Sequence, residues 1–229
     1  IPEGACYSWS DHGRVAARHR AQADMTLPRK KNAWARIIRA KIEGQANVLQ
    51  NLGRSGSSEL FALADQVRSG DPENVEAHAA RVYWSRVLKD GRQPGAGQLI
   101  GSNACLDYGY AVLRGHLIRA ILSAGLAPAL GVFHRGRGNA FALADDLIEP
   151  FRPAIDEVAL QFSPTASPSD SGVKRLLVAA ASQKFDSDGY GIPAVVQDLA
   201  QQYGRYVEGD EDRLRVLAWQ GPASVDVSG

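Results

Sequence analysis

A long amphipathic helix is predicted from Lys30 to about Leu52, and it restricts the fold more than any other feature of the sequence. Its apolar residues recur at three- and four-residue steps, which is the spacing of one buried helical face. These residues are Trp34, Ile37, Ile38, Ile42 and Leu49. A helix with such a stripe must pack against other elements of the fold.

Most of the remaining sequence also has helical periodicity. Helices are predicted at about 11–23, 57–70, 73–88, 98–124, 140–162, 172–182, 192–207 and 210–216. A kink or break is expected near Pro150, because proline cannot continue an undistorted helix. The single strand signal is a glycine turn in a small hairpin near 184–193. We therefore predict an all-α fold with at most this hairpin as β structure.

Basic residues cluster in the first part of the chain, although the net charge of the 229 residues is only +1. The cluster consists of Arg14, Arg18, Arg20, Arg29, Lys30, Lys31, Arg36, Arg39 and Lys41. Acidic residues concentrate instead at 145–157 and 208–212, and this separation favours a basic face that meets an anion, although a solvated helix surface gives the same pattern.

The two cysteines are too few for a metal cage and fit a reduced, cytoplasmic protein. No apolar run approaches the roughly 20 residues that cross a membrane.

The stretch 131–152 carries the clearest signal of chemistry. His134 lies in a turn rich in glycine and arginine, and Asp145, Asp146 and Glu149 follow in a predicted helix. One nitrogen ligand together with carboxylates can hold a divalent metal ion that acts on phosphate esters. Asp146 and Glu149 are spaced i, i+3 and can share a helix face, whereas Asp145 points away. The alternative is a structural histidine followed by acids that favour the start of a helix.

Polar residues elsewhere give further candidates. Glu76 lies in the first turn of the predicted helix 73–88, either as a third ligand or as an ordinary exposed acid. Asn103 and Tyr108 place polar groups on the long helix 98–124, where structural support through hydrogen bonds is the simpler interpretation. The side chains predicted to contact phosphate or DNA are Arg135, Arg137, Arg152, Arg29, Lys30, Lys31, Arg36 and Lys41. The sequence contains no G-x-S-x-G elbow, Walker-type glycine loop or H-E-x-x-H pair, which argues against those chemistries.

Four segments resemble those of the CRISPR-associated endonuclease Cas1, the integrase of spacer acquisition, and most of all the branch that accompanies type II systems. They are 30–49, with AKIxxQA at 40–46; 70–84, with GDPENxEA at 70–77; 103–114, with NxxLxYGYA at 103–111; and 128–153, with ADDLxEPFRP at 144–153. Together they extend from residue 30 to residue 153, and the last segment is close to diagnostic. Asp107 departs from the asparagine that is typical of the family.

The resemblance implies a metal site and an activity. It assigns the family's metal ligands to Glu76, His134 and Glu149, with Asp146 as an auxiliary acid and Mn²⁺ or Mg²⁺ as the cofactor. The implied activity is that of a DNA endonuclease and integrase. It joins the 3′-hydroxyl ends of spacer DNA into a CRISPR repeat array by phosphodiester transesterification, as part of antiviral defence.

The resemblance also implies partners and a domain organisation. Cas1 proteins bind the double-stranded DNA of the pre-spacer and of the repeat, form homodimers and assemble with the small adaptation protein Cas2. Their N-terminal β-sandwich has no counterpart in this sequence. We therefore expect a linker and short basic helix at 1–28 and the α-helical, metal-dependent catalytic domain at 29–229.

Two other functions stay open at the level of the sequence. A casposon-type DNA transposase resembles this domain and shares its chemistry, and it would prefer transposon ends over CRISPR repeats. A non-catalytic DNA-binding scaffold is the alternative from a different class, and it would bind no Mn²⁺ through Glu76.

Overall fold

Helices account for nearly all of the regular structure. The computed structural model describes residues 13–88, 100–134, 136, 138–185 and 187–221. In chain order its helices are α1 Val15–Asp24, α2 Leu27–Asn51, α3 Ser57–Gln66, α4 Val75–Val87, α5 Gly101–Ser123, α6 Ala142–Leu147, α7 Arg152–Ala159, α8 Ser171–Ala180 and α9 Ile192–Glu208, with a 3-10 turn, Glu149–Phe151, between α6 and α7. The only β pairing among the described residues is an antiparallel bridge between Lys184 and Gly191. The predicted all-α class, with at most a small hairpin near 184–193, is confirmed.

Helix α2 crosses the centre of the fold. Pro28 lies in its first turn, where the missing N–H would have no helical partner in any case. The helix packs against α3, α4, α7 and the 3-10 turn, and all five apolar residues of its predicted stripe are buried. Helix α5 forms a second centre and packs against α6, α7, α8 and α9. Helix α7 therefore packs against both long helices, and the 3-10 turn packs against α2.

The segment predicted as one helix at 140–162 is divided into three short pieces. Helix α6 ends at Leu147, the 3-10 turn follows, and α7 begins at Arg152. Pro150 and Pro153 explain the division, because neither ring can be accommodated in a continuous helix interior. Because of this break, Glu149 is the first residue of the 3-10 turn, and it does not share a continuous helix with Asp146.

The C-terminal segment after α9 has no regular secondary structure up to residue 221, so the predicted helix at 210–216 is wrong. Gly209 ends α9 in the left-handed conformation, with φ 89°. Beyond it the chain lies against the core, where Trp219 is fully buried. The carbonyl of Trp219 accepts a 2.6 Å hydrogen bond from Asn47 on α2, and its indole N–H donates to Glu157 on α7 at 3.3 Å. Contacts with helices from distant parts of the chain, which a local pattern does not contain, outweigh the helical periodicity here.

Helix α1 packs on α9 through a buried arginine. Arg18 Nε lies 3.1 Å from Glu208 Oε2, and Arg18 Nη1 donates a 2.5 Å hydrogen bond to the carbonyl of Ala124. One member of the basic cluster is therefore an internal residue. None of the helices in the described ranges combines the length and apolar character needed to span a membrane.

Helices α5 and α7 approach each other closely at Gly109. A Cβ atom at this position would lie 2.4 Å from Cγ2 of Ile155 on α7, well inside van der Waals contact. Gly115, on the same helix, is exposed and has no atom within 4 Å of an added Cβ. The two glycines thus occupy opposite environments on one helix.

Gly109→Ala is expected to lower the free energy of unfolding by about 2 kcal/mol, because the added methyl group overlaps Ile155. Gly115→Ala is expected to raise it by up to about 1 kcal/mol, because alanine has the higher helix propensity and meets no neighbour. Urea denaturation of the two variants measures both effects. Equal changes in the two variants would contradict the close approach of α5 and α7.

Candidate metal and DNA site

Two glutamates from different parts of the chain converge on one lysine. Lys41 Nζ on α2 lies 2.9 Å from Oε1 of Glu76 on α4 and 2.6 Å from Oε2 of Glu149 in the 3-10 turn. The lysine and Glu149 side chains are mostly buried, and Glu76 is about one quarter exposed, at 27%. The structure therefore brings together two of the three predicted metal ligands, and it places between them a lysine that the sequence had suggested as a DNA contact.

A capping carboxylate fixes the position of Glu76. Asp71 accepts hydrogen bonds from the backbone N–H groups of Val75 at 2.9 Å and of Glu76 at 3.0 Å. These are two of the donors that a helix start leaves without a helical partner. Asp71 and Asn74 both adopt positive φ, 45° and 55°, to bring this carboxylate under the first turn of α4. The loop that begins this helix thus also orients the candidate ligand.

Positive charge surrounds Glu149. Arg152 Nε donates a 2.9 Å hydrogen bond to Glu149 Oε1, and the Arg152 guanidinium lies 4.5 Å over the ring of Tyr110. Burial alone would raise the pKa of Glu149, but the charges of Lys41 and Arg152 outweigh it and hold the pKa below its usual value. Burial alone would lower the pKa of Lys41, but Glu149 and Glu76 outweigh it and raise that pKa. Glu149 and Lys41 are therefore both charged at neutral pH.

A second group forms around the carboxylate of Asp146. Its Oδ2 accepts backbone hydrogen bonds from Val132 at 2.5 Å and Phe133 at 2.9 Å, and its Oδ1 lies 2.6 Å from Nδ1 of His134. The backbone N–H of His134 also donates to Oδ1, at 3.3 Å. A Cβ at Gly131 would lie 2.8 Å from Asp146 Oδ2, so only glycine leaves room for this turn. Asp146 therefore holds the turn and the histidine ring in one orientation.

The neighbouring acids Asp145 and Asp146 have different contacts in the structure. Asp146 is fully buried, and its two oxygens accept hydrogen bonds from the turn that carries His134, which is a positioning role. The auxiliary metal ligation that the resemblance implies for Asp146 stays a prediction. Asp145 binds Arg114 Nε at 2.6 Å and Asn139 Nδ2 at 2.8 Å, as a structural residue. In the described part of the chain, no three His, Cys, Asp or Glu side chains are grouped closely enough to hold a metal ion. The complete ligand set of Glu76, His134 and Glu149 stays a prediction.

Sequence reasoning missed a buried polar network behind Arg152. Asp156 on α7 accepts hydrogen bonds from the hydroxyl groups of Tyr83, at 2.8 Å, and Tyr110. Burial raises the pKa of Asp156 to about 6, although both tyrosine hydrogen bonds and Arg152 oppose the shift. The network and the glutamate cluster share a cavity of about 260 Å³, whose lining includes Asp107. The sequence shows Asp156 only as one of several acids in the stretch 145–157, and nothing in the local pattern distinguishes it from the others.

The residues predicted to contact DNA fall into different environments. Arg29 donates to the backbone carbonyls of Tyr206 and Glu211, the latter at 2.9 Å, and stacks on the Tyr206 ring, so its contacts are internal. Lys31 is exposed on α2, Lys30 and Arg36 are half-buried there, and Arg152 belongs to the glutamate cluster.

Four further residues were predicted to contact DNA or to support the site. Arg135 and Arg137 lie outside the described residues. Asn103 is buried, and Tyr108 packs against the hydrophobic core. The hydrogen-bond network expected near them is centred instead on Asp156.

Comparison with known proteins identifies the family. Residues 3–169 match the family model described as CRISPR associated protein Cas1. The chain belongs to the Cas1 family. It is 38% identical over 157 residues to the CRISPR-associated endonuclease Cas1 of Neisseria meningitidis serogroup C, an alignment that covers 68% of this chain and 51% of that protein. The chain spans about half to two thirds of the length of the curated Cas1 relatives that it matches.

Solved structures share the helical Cas1 fold. A partial Cas6-RT-Cas1–Cas2 complex matches with a TM-score of 0.74 and 18% identity, over 95% of this chain and 77% of that chain. A casposase bound to integration product matches with a TM-score of 0.69 and 19% identity, over 92% of this chain and 68% of that chain. At these identities the likeness establishes the fold, and it extends beyond residue 169, where the family match ends.

Asp156→Asn is expected to remove a pH dependence of stability. The folded-state pKa of about 6 lies above the ordinary value of 3.8, so this carboxyl group stabilises the fold when protonated. That contribution is full below about pH 4 and is lost as the pH rises through about 6, for a total of about 3 kcal/mol. The free energy of unfolding of the wild type, from urea denaturation, should therefore fall relative to that of the variant over this range. Asp198→Asn, at an exposed site on α9, is the control, and parallel pH curves for wild type and Asp156→Asn would contradict the shift.

Proposed function

We propose that this member of the Cas1 family is the catalytic domain of a metal-dependent DNA endonuclease and integrase of CRISPR adaptation. It would join the 3′-hydroxyl ends of spacer DNA into a repeat array by phosphodiester transesterification. The observation that carries this proposal is the convergence of Glu76 and Glu149, from separate helical elements, on the single cation Lys41 Nζ. Two carboxylates that share one cation form a donor pair suited to a divalent metal ion.

The residues fit an Mn²⁺ or Mg²⁺ ion. Glu149 Oε2 is buried and forms an ion pair with Lys41 Nζ at 2.6 Å. A metal ion would take the place of this ammonium group, because the two carboxylates already share one cation. Glu76 and Glu149 would hold the ion together with His134, and an imidazole ligand favours Mn²⁺ somewhat more than oxygen ligands alone do. When bound, the metal would polarise the scissile phosphate and stabilise the charge that develops on its oxygens.

The chain's own residues support this chemistry in three ways. Asp146 occupies Nδ1 of His134, which leaves Nε2 as the ring nitrogen that can act as a ligand. Arg152 keeps Glu149 ionised and adds positive charge next to the position of a phosphate. Lys41 neutralises the two carboxylates and so keeps them together before a ligand arrives.

The proposed partners are double-stranded DNA, as pre-spacer and repeat, and the protein Cas2. Support comes from the solved relatives, one described as a Cas1–Cas2 complex and one as bound to an integration product. On the chain itself, Lys31 and Arg36 give the N-terminal half of α2 a basic surface that suits a phosphate backbone. A homodimer, as in the family, is part of the same proposal.

A casposon-type transposase is the second candidate, since the casposase shares the fold with a TM-score of 0.69. The 38% identity to a Cas1 endonuclease favours CRISPR adaptation over this alternative. Integration assays with two targets, a CRISPR repeat and a transposon end, separate the two functions by the target that is used.

His134→Ala is expected to abolish Mn²⁺-dependent strand transfer, to below about 1% of wild type, because the ring would be lost as ligand while the fold remains. A gel assay that follows the joining of a labelled 3′ end to a repeat duplex measures the activity, and circular dichroism checks the fold. His78→Ala, on an exposed face of α4, is the matched control and should retain activity. Full activity of His134→Ala would remove His134 from the site. Mn²⁺ binding that does not depend on Glu76 in calorimetric titration would instead favour the scaffold function.

Lys41→Met is expected to destabilise the metal-free protein by about 3 kcal/mol, because Glu76 and Glu149 lose their shared counter-charge. Mn²⁺ should then raise the melting temperature of this variant by more than that of the wild type, because the ion replaces the missing charge. Calorimetric scans with EDTA and with Mn²⁺ give both quantities, and Lys174→Met, at an exposed position of α8, serves as the control. Equal stabilisation of wild type and Lys41→Met by Mn²⁺ would contradict a metal site at these two glutamates.

A further inference from the structure

We propose that a cavity beside the N-terminal half of α2 binds one unpaired nucleotide of the DNA strand next to the reacting phosphate, with its base stacked on Phe133. This subsite, which rests on the proposed function, adds to it a contact that the interior of a duplex cannot make. The cavity has a volume of about 310 Å³ and is lined by Leu27, Lys30, Lys31, Trp34, Gly70, Val132 and Phe133.

Phe133 presents an aromatic face that is supported from behind. Its ring stacks on that of Trp34, with a centroid distance of 4.5 Å and an interplanar angle of 6°. Trp34 is only 3% exposed, whereas Phe133 is 54% exposed. One face of Phe133 is therefore covered by a buried indole, while much of the ring remains open to the cavity. A flat, rigidly backed ring is what a nucleobase needs in order to stack.

The position of Phe133 is fixed by the same carboxylate that fixes His134. The backbone N–H of Phe133 donates a 2.9 Å hydrogen bond to Asp146 Oδ2, and Asp146 Oδ1 binds Nδ1 of His134. The centroids of the two rings are 5.5 Å apart, and the rings are nearly perpendicular, at 89°. A base on Phe133 therefore belongs to a nucleotide close to the phosphate on which His134 is proposed to act.

The charge of the cavity agrees with an anionic strand. Its lining contains two lysines, Lys30 and Lys31, and no acidic residue. Aromatic stacking surfaces combined with basic side chains are the usual composition of sites for single-stranded nucleic acid, since the lysines follow the backbone and the ring takes the base. Inside a duplex both faces of each base are covered by its neighbours, and a terminal base pair is larger than a single base, so a cavity of this size suits one unpaired nucleotide.

The test compares single-stranded and duplex DNA. Binding of a labelled oligodeoxynucleotide and of the matching blunt duplex to the full chain is measured by fluorescence anisotropy in EDTA, where no strand is cut or joined. Phe133→Leu keeps an apolar side chain but removes the ring, and it should weaken single-strand binding about tenfold while changing duplex binding by less than about twofold. Phe133→Tyr should restore single-strand binding. Tyr190→Leu, the same kind of change at another exposed aromatic residue, should alter neither affinity.

A second measurement needs no variant and so does not depend on how Phe133→Leu folds. 2-Aminopurine is placed at successive positions of the single strand, and its fluorescence should be quenched by the wild-type protein at one position, where the base stacks. Absence of quenching at every position, or single-strand binding by Phe133→Leu as tight as that of wild type, would overturn the subsite alone. Failure of the wild type to bind either form of DNA would overturn the proposed function together with the subsite.

Discussion

The ion pairs of Lys41 with Glu76 and Glu149 hold the candidate site together. They connect α2, α4 and the 3-10 turn, which are far apart in the sequence and would otherwise present two carboxylates to each other. Two carboxylates bound to the same ammonium group repel each other, and a mostly buried carboxylate such as that of Glu149 destabilises the fold unless a cation accompanies it. The central position of α2 therefore has an electrostatic reason as well as an apolar one. The helix that fills the core also supplies the charge that allows the acids to meet.

Much of the framework could be predicted from the sequence because it depends on local patterns. The apolar repeat of α2 and the prolines that divide 140–162 each act over a few residues. The role of Asp146 could not be found in this way. Its spacing from Glu149 suggested a shared helix face, but Pro150 breaks the helix between the acid and α7 and leaves Asp146 to hold the histidine turn. Asp156 was hidden for a related reason, since its tyrosine partners come from α4 and α5.

Positive charge in the sequence was a poor guide to positive charge on the surface. Arg18 and Arg29 belong to the basic cluster near the N-terminus, yet both bind carbonyl or carboxylate oxygens of the C-terminal half. Lys41 is directed inward as well. A guanidinium or ammonium group can serve as an internal connector between helices, because it satisfies several acceptors at once. Only the remainder of the cluster, such as Lys31 and Arg36, is left to meet a polyanion.

The segment after α9 connects two helices that lie next to the candidate site. Trp219 is held by Asn47 on α2 and by Glu157 on α7, and Asn51 on α2 also donates to that glutamate, at 3.1 Å. These two helices flank the 3-10 turn that carries Glu149. The segment therefore ties α2 to α7 through a fully buried indole. A change in this tail would alter how firmly the turn that carries Glu149 is held, without touching either glutamate of the candidate site.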